Sequence, residues 1–478
     1  MDQIKPNILV ILADDWGYGD VSCLNRESRI QTPYTDELAA GGMTFRDAHS
    51  NSAVCTPTRY GLLTGRYAWR SRLKQGVLFG YSRELIEDDR PTVASLLRDA
   101  GYRTACIGKW HLGLGWQNAD GSLVPVEHDG HDDPGVDFTA PLRHGPHTVG
   151  FDYSLILPAS LDMPPYCYIE NGRVIDPPNA QCDSSERPAF WRGGAIAPGV
   201  EHETCLLEFT RRAEAFIAQH AEQSSDTPFF MYLPLPSPHT PHVPRAPFQG
   251  QSDCGTYGDY VVEHDWSIGQ VLATLERNGL RDNTLVIVTS DNGAHMRGDG
   301  FDFEEAFGHR SNYIYRGQKS DVWDGGHRVP FFMSWPDRIA AGSVCDQTIS
   351  LLDITATCVE LAGVPLPEAA GEDSVSLVPL LDGDLDQPVR EMVVTSSVTG
   401  RDAIRSDRWK LIEGPGSGGW SMPDPQVDSS MPSMQLYDMI DDPSEERNVI
   451  SDHPKVVSTL LASLEQCRHG SSSSSSQD

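Results

Sequence analysis

The chain has 478 residues, of which 39% are hydrophobic and 22% are charged. These proportions are typical of a globular protein and exclude a collagen-like or wholly disordered chain. Lys and Arg total 37 against 68 Asp and Glu, which gives a net charge of −31. Because non-specific nucleic-acid binding needs a basic surface, we predict no nucleic-acid partner. No apolar run approaches the roughly 20 residues of a membrane helix, so we predict no membrane insertion.

Short apolar runs along the chain predict buried strands at 7–13, 103–107, 229–233 and 285–289. Unbroken apolar strands of this length are typical of a parallel sheet that is covered on both faces. Helical patterns lie at 92–100, 202–219 and 259–278. The alternation of strands and helices predicts an α/β doubly wound fold.

The middle of the chain, 113–199, is rich in Gly, Pro, His and Asp, and a stretch of this length is predicted to be a functional or disordered loop. After Leu381 the composition changes to a linker, and short strands and a helix are predicted at 392–396, 403–405, 409–412 and 454–467. This pattern predicts a small antiparallel domain with one helix. We therefore predict a catalytic domain over 1–385, a small α+β domain over 386–468 and a disordered, Ser-rich tail over 469–478.

Polar side chains follow the predicted strands at their carboxyl ends, where open α/β sheets bind ligands. Asp14 and Asp15 follow the first strand, and Asp291 and Asn292 follow the fourth. Their oxygen atoms suit Ca²⁺ or Mg²⁺ better than zinc or copper. Either pair alone would equally fit a helix cap or a turn. Two pairs after two buried strands favour a metal site.

The most specific segment reads Cys55-Thr-Pro-Thr-Arg59, followed by Tyr-Gly-Leu-Leu-Thr-Gly65. Pro57 is compatible with a first helical turn, which would place Cys55 at a helix N-terminus. Free N–H groups and the helix dipole favour an anion there. The alternative is a buried structural cysteine, the commonest role of this residue.

These motifs resemble the formylglycine-dependent (type I) sulfatases of the alkaline phosphatase superfamily. The Cys-x-Pro-x-Arg and Leu-Leu-Thr-Gly sequences match the family signature, except that Thr58 stands where Ser is more usual. Further matching segments lie at 7–15, 101–111, 290–293, 315–330 and 436–446. The resemblance implies a large, mixed, mostly parallel sheet sandwiched by helices, with a smaller C-terminal antiparallel sheet plus helix.

The resemblance also implies the chemistry. A formylglycine-generating maturation enzyme would oxidise Cys55 to Cα-formylglycine, which is hydrated to a gem-diol. One hydroxyl would attack sulfur, and loss of the other hydroxyl's proton would expel sulfate. Ca²⁺, with Mg²⁺ less favoured, would be held by a set comprising Asp14, Asp15, residue 55, Asp291 and Asn292.

Further roles follow from matching positions. Arg59 and Lys109 are expected to orient the diol, and His111 to accept the second hydroxyl's proton. His239 and Lys319 are expected to bind sulfate, with His239 as the acid for the leaving oxygen and His242 as its competitor. Ser160 is expected near the diol.

The expected substrate is a sulfated carbohydrate, because basic and aromatic loop residues suit an acidic sugar. Residues 159–166 and 308–313 resemble segments of bacterial carbohydrate sulfatases similar to arylsulfatase A and N-acetylgalactosamine-6-sulfatase. This favours exo action on a galactose-type or glycosaminoglycan sugar. The family also implies a periplasmic or secreted location in a bacterium. Further substrate contacts are predicted at His295, Arg297, His309, Arg310, His327 and Arg328.

Two alternatives remain at this point. The first is a phosphate or phosphonate monoester hydrolase of the same superfamily, which a rate comparison on matched esters would distinguish. The second is a glycan-binding protein without activity, which the intact Cys55, Lys109 and His111 argue against. The sequence does not predict the oligomeric state.

Overall fold

The computed structural model describes residues 5–223, 226–298, 301–422 and 431–470, so most of the predicted tail lies outside the described residues. The strands are β1 (Asn7–Asp14), β2 (Met43–Phe45), β3 (Ala48–His49), β4 (Arg103–Lys109), β5 (Tyr153–Leu157), β6 (Ile169–Glu170), β7 (Arg173–Val174), β8 (Ala180–Cys182), β9 (Gly194–Ile196), β10 (Phe229–Pro238), β11 (Thr284–Ser290), β12 (Arg297–Gly298), β13 (Phe301–Asp302), β14 (Phe331–Ser334), β15 (Ser343–Cys345), β16 (Ile349–Ser350), β17 (Val393–Ser396), β18 (Asp402–Ser406), β19 (Trp409–Ile412) and β20 (Gln435–Asp438). The helices are α1 (Pro33–Ala40), α2 (Cys55–Thr64), α3 (Val93–Asp99), α4 (Cys205–Gln223), α5 (Gly255–Arg277), α6 (Phe303–Phe307), α7 (Asp324–His327), α8 (Asp353–Leu361), α9 (Val378–Leu381) and α10 (Pro454–His469).

The main sheet has the strand order β15-β2-β14-β11-β1-β10-β4-β5-β6-β7. Its centre is parallel, since β1 pairs in parallel with both β10 and β11, and β4 pairs in parallel with β10 and β5. Antiparallel partners such as β14 and β6 flank that centre. Every residue of β1, β10 and β11 is buried, which explains their apolar sequences. The predicted α/β fold class is confirmed.

The C-terminal sheet is antiparallel, in the order β17-β18-β19-β20. Helix α10 packs against β18 and β19, and Leu460 and Leu464 of that helix join Ile404, Leu411 and Leu436 in a separate core. The small antiparallel sheet with one helix is therefore confirmed, whereas the boundary at 385 stays a prediction.

The predicted helices differ from the structure at their ends. Helix α5 begins at Gly255 rather than 259, and α4 extends to Gln223 after a short 3₁₀ turn at His202–Thr204. The long stretch 113–199 contains short strands that pair locally, including β8 with β9. Among the described residues, no helix combines the length and apolar character needed to cross a membrane.

Candidate active site

The predicted site residues meet at the carboxyl ends of the central strands. Potential ligand atoms of Asp14, Asp15, Cys55 and His239 all lie within 4.8 Å of one another, and all four side chains are buried. Asp14 ends β1, His239 directly follows β10, and Cys55 begins α2. We call these four residues, with Arg59, Lys109, His111, Asp291, Asn292 and Lys319, the strand-end cluster.

Two lysines neutralise the aspartates of this cluster. Lys109 Nζ lies 2.6 Å from Asp14 Oδ2, and Lys319 Nζ lies 2.7 Å from Asp15 Oδ1. Burial disfavours the charged form of Lys319, but Asp15, Cys55 and Asp14 together outweigh this effect and raise the pKa of Lys319. Lys319 is therefore cationic, and its charge can stabilise an anion bound beside it.

Arg59 and Asp291 form a third buried ion pair. Arg59 Nη2 and Nε lie 2.7 and 3.0 Å from Asp291 Oδ2. Burial, with the charge of Asp14 adding to it, raises the pKa of Asp291 to about 6 despite the opposing effect of Arg59. Asp14, Asp15 and Asp291 therefore lie close together, and keeping the Asp291 carboxylate charged costs free energy.

The oxygen donors fit a hard divalent cation. Asn292 donates from Nδ2 to Asp15 Oδ1 at 2.7 Å, but its buried Oδ1 atom has no hydrogen-bond partner among the described residues. A buried amide oxygen without a partner is costly unless a cation or water fills the gap. Carboxylate and amide oxygens are preferred Ca²⁺ ligands. The residues present thus fit the predicted ion.

Cys55 occupies the first position of α2, after extended Val54. Its Sγ donates to Asp14 Oδ1 at 3.7 Å. Burial raises the pKa of the thiol to about 12, in spite of the opposing charges of Lys109 and Lys319. Because a thiol in that state supplies almost no thiolate near neutral pH, unmodified Cys55 is a poor nucleophile.

His111 is held in place by strained backbone and by one ring nitrogen. It adopts the left-handed region at φ 55°, as does Asp15 at φ 64°. Such backbone is uncommon for these residues and clusters at functional sites. The Nε2 atom lies 2.7 Å from the Leu78 carbonyl oxygen, and the Thr56 hydroxyl donates to the His111 carbonyl at 3.0 Å.

The other nitrogen of His111, Nδ1, is buried and has no hydrogen-bond partner within the described part of the chain. Burial lowers the pKa of His111 well below its usual value, with Lys109 and Arg59 adding to this effect. The ring is therefore neutral at physiological pH. With Nε2 donating to Leu78, Nδ1 is left as a free acceptor for a proton.

His239 faces the cluster through Nε2, which lies 3.6 Å from Asp15 Oδ2. Its Nδ1 lies 2.6 Å from the Thr240 carbonyl oxygen and 3.2 Å from Ser160 Oγ. The structure therefore brings the predicted Ser160 beside His239. The ring of the competitor His242 packs edge-on against the Tyr257 ring, with 5.3 Å between the two centroids.

A cavity of about 440 Å³ opens on the His242 side of the cluster. Among its lining residues are Arg187, Pro188, His242, Tyr257, His295 and Arg297. Burial lowers the pKa of His295 to about 4, and the charge of Lys319 adds to this effect. The predicted contacts His295 and Arg297 therefore line a space next to Lys319.

The structure places the other four predicted substrate contacts outside this cavity, where their side chains bind other residues. His309 is fully buried with Nε2 2.9 Å from Asp20 Oδ1, and exposed Arg310 pairs with Glu304 at 2.6 Å. His327 and Arg328 belong to a separate buried cluster described below.

Trp420 was not predicted from the sequence. Its ring lies 5.0 Å from the His295 ring, and Lys319 Nζ is 5.9 Å from its centroid. The Gly-rich sequence Gly414-Pro-Gly-Ser-Gly-Gly-Trp420 was the available signal, since such segments allow close backbone approach. Asp162 was also missed, and it pairs with Arg192 on the Ser160 side.

Comparison with known proteins gives two family matches. The model described as "Sulfatase" matches residues 6–364, and that for the C-terminal region of N-sulphoglucosamine sulphohydrolase matches 318–470. The chain is 34% identical to N-acetylgalactosamine-6-O-sulfatase of Bacteroides thetaiotaomicron, over 97% of this chain and 93% of that protein. It is 32% identical to human arylsulfatase A, over 96% of this chain and 86% of that protein.

One solved structure comes from work on the metabolism of multiple glycosaminoglycans by B. thetaiotaomicron. It aligns with a TM-score of 0.83 at 33% identity, and the match covers 98% of this chain and 100% of that one.

Proposed function

The chain belongs to the sulfatase family and is a sulfuric ester hydrolase, and from that premise we propose that it releases sulfate from a sulfated carbohydrate. Residue 55, converted to Cα-formylglycine by a maturation enzyme, is the proposed nucleophile, and Ca²⁺ is the proposed ion. The observation that carries the proposal is the position of Cys55, within 4.8 Å of the possible ligand atoms of Asp14, Asp15 and His239.

The proposed conversion supplies what the thiol lacks. Hydrated formylglycine provides one hydroxyl for attack on sulfur and a second hydroxyl whose deprotonation expels sulfate, so water need not attack sulfur. When bound, Ca²⁺ would supply positive charge to the sulfate oxygens and lower the pKa of a coordinated hydroxyl. Asp14, Asp15, Asp291 and Asn292 would hold the ion with residue 55.

Lys109 and His111 serve the hydroxyl groups of residue 55. The Lys109 ammonium, fixed by Asp14, orients the nucleophile and balances negative charge. Neutral His111 offers its unpartnered Nδ1 to the second hydroxyl's proton. Arg59 holds Asp291 in its charged form, which keeps the cation ligands in place.

Lys319 and His239 serve the sulfate and the leaving group. Lys319 binds sulfate oxygens from the Asp15 side of the cluster. The Nδ1–H of His239 is held by the Thr240 carbonyl, so Nε2 is the atom that carries a proton to the leaving oxygen. The cavity beside His242 and His295 accommodates the sugar.

The substrate class rests on the relatives. N-acetylgalactosamine-6-O-sulfatase and the glycosaminoglycan-related structure both align over nearly the whole chain. We therefore propose a galactose-type or glycosaminoglycan sugar and exo action. The test is a panel of sulfated oligosaccharides scored for free sulfate, with the residue 55 peptide checked by mass spectrometry and matched phosphate and phosphonate esters as competitors.

We expect sulfate release from at least one galactose-type or glycosaminoglycan sugar. The rate of this release should exceed the rate of phosphate release from any matched phosphate ester. Faster turnover of phosphate or phosphonate esters would contradict the proposal. Binding of the glycans without sulfate release by protein that carries formylglycine would also contradict it.

A further inference from the structure

Trp420 is an exposed aromatic side chain beside the strand-end cluster, yet it belongs to the loop between β19 and β20 of the C-terminal sheet. Its side chain is 47% exposed. The ring centroid is 5.9 Å from the Lys319 ammonium, which is itself 2.7 Å from Asp15. The ring therefore lies within one sugar diameter of the proposed sulfate position.

The backbone that carries this ring is held firmly in place. The N–H of Trp420 donates to Ser320 Oγ and to Asp321 Oδ1, both at 2.9 Å, and the N–H of Ser421 donates to Asp321 Oδ1 at 3.1 Å. These acceptors directly follow Lys319 in the chain. The C-terminal loop is thus fastened to the same segment that supplies the sulfate-binding lysine.

Gly419 makes this contact possible. A Cβ atom built at Gly419 would lie 2.4 Å from the Ser320 carbonyl oxygen and 2.6 Å from Asp321 Oδ1. Since any side chain would force the loop away, Gly419 sets the distance between Trp420 and Lys319. Because its backbone is fixed, the half-exposed Trp420 ring loses little conformational entropy when a ligand packs on it.

On the basis of the proposed function, we propose that Trp420 is the platform on which the sugar ring bearing the sulfate ester stacks. The C–H bonds of a pyranose ring form apolar faces that complement the electron-rich face of an indole. Stacking on Trp420 places the sugar beside His295 and the ester oxygen toward Lys319. Trp420 thereby selects a sugar ring as the group attached to sulfate.

The test measures binding in the Cys55→Ala background, so that no turnover intervenes. Isothermal titration compares N-acetylgalactosamine 6-sulfate and inorganic sulfate as ligands. Trp420→Ala is expected to weaken binding of the sulfated sugar about tenfold and to change inorganic sulfate binding less than about twofold. Trp420→Phe is expected to retain most of the affinity for the sugar, because it keeps an aromatic face.

Met422→Ala is the matched control, since Met422 is 64% exposed in the same loop. It is expected to bind both ligands as the parent protein does. Equal affinity of the Trp420→Ala and parent proteins for the sulfated sugar would overturn the inference, as would the absence of sugar binding by the parent. A parallel loss for inorganic sulfate would also overturn it, because the substitution would then have disturbed Lys319.

The readout separates this inference from the proposed function. A protein that binds the sulfated sugar through Trp420, but whose formylglycine form releases no sulfate, would contradict the function and leave the stacking role intact.

Discussion

The molecule contains two buried groups of histidine, aspartate and lysine that look alike in composition but differ in their hydrogen bonding. The second, which we call the inter-sheet cluster, comprises Asp47, His49, Asp324, His327, Arg328 and Lys410. His49, Asp324 and His327 place potential ligand atoms within 4.8 Å of one another, as the strand-end cluster does. Composition alone therefore does not separate an active site from a structural network.

The inter-sheet cluster is closed by its own partners. His49 Nε2 lies 2.9 Å from Asp47 Oδ1, and its Nδ1 lies 2.9 Å from His327 Nδ1. Lys410 Nζ, from β19, lies 2.7 Å from Asp324 Oδ1. This ammonium links β19 of the C-terminal sheet to helix α7 and supplies a positive charge beside Asp324.

The strand-end cluster is left open in comparison. Asn292 Oδ1 and His111 Nδ1 are both buried without a hydrogen-bond partner among the described residues. Proteins seldom leave buried polar atoms unpaired unless a ligand or water completes them. The two clusters therefore resemble each other in their charged residues, and the strand-end cluster is set apart by the unpaired Asn292 oxygen and His111 nitrogen.

The largest expected effect comes from Cys55→Ala in the strand-end cluster. Removing the proposed nucleophile should lower sulfate release by at least about a thousandfold while the melting temperature stays near that of the parent. Sulfate assays and thermal unfolding measure the two quantities. Cys23→Ala is the control, because Cys23 is exposed. Substantial residual turnover in the Cys55→Ala protein would rule out the nucleophile assignment.

His239→Ala should have a smaller effect that depends on the substrate. Loss of a general acid is expected to cost about 10² to 10³ in kcat/KM on sugar sulfates, which have poor leaving groups. Activated aryl sulfates need little protonation and should lose about tenfold or less. Equal losses on both substrate types, measured on the same preparation, would count against the acid role.

Lys410→Met should affect the fold rather than the chemistry. It removes the ammonium that pairs with the buried carboxylates of Asp324 and Glu445, which is expected to lower the free energy of unfolding by about 3 kcal/mol. Denaturant unfolding measures this change. Arg46→Ala is the control, because its ion pair with Asp346 is largely exposed and is expected to contribute less than about 1 kcal/mol. Unchanged stability of Lys410→Met would show that the inter-sheet cluster does not stabilise the fold.

The smallest expected effect is a pH dependence of stability. Burial lowers the pKa of His49, although Asp47 and Asp324 oppose it and Arg328 adds to it, and burial with Lys410 lowers the pKa of His327. Below about pH 6.5 the unfolded chain therefore binds protons that the folded chain excludes. The free energy of unfolding should fall as the pH drops from 7 to 5.

His49→Gln should reduce that slope, by about 1 kcal/mol over the interval, in denaturant titrations at each pH. The control is His469→Gln, since the His469 side chain is 80% exposed. An identical slope in the parent and His49→Gln proteins would show that the inter-sheet histidines do not couple folding to pH.

The sequence predicted the fold and the centre of the site for physical reasons. Buried parallel strands require unbroken apolar runs, and the edge of such a sheet brings their polar ends together, so Asp14 and Asp291 could be expected to meet. Helix α2 was predictable from Pro57 and the residues around it. These features depend on local patterns that a single sequence displays.

The rest of the active site could not be predicted from the sequence, because it depends on side-chain direction and on contacts between distant segments. His327 follows Lys319 by eight residues, but it points into the inter-sheet cluster rather than toward sulfate. Trp420 approaches Lys319 only through loop contacts between residues about a hundred positions apart. Neither the His327 contact nor the Trp420 contact produces a periodic pattern in the sequence.

The most direct test of the central claim is a calorimetric titration of Ca²⁺ into chelator-treated protein. One ion per chain is expected for the parent and for Lys410→Met under conditions where that variant is folded. Strongly weakened binding is expected for Asn292→Ala, which removes the unpartnered oxygen. Failure of the parent to bind Ca²⁺, or equal affinity in Asn292→Ala, would contradict the claim that the strand-end cluster is completed by a cation.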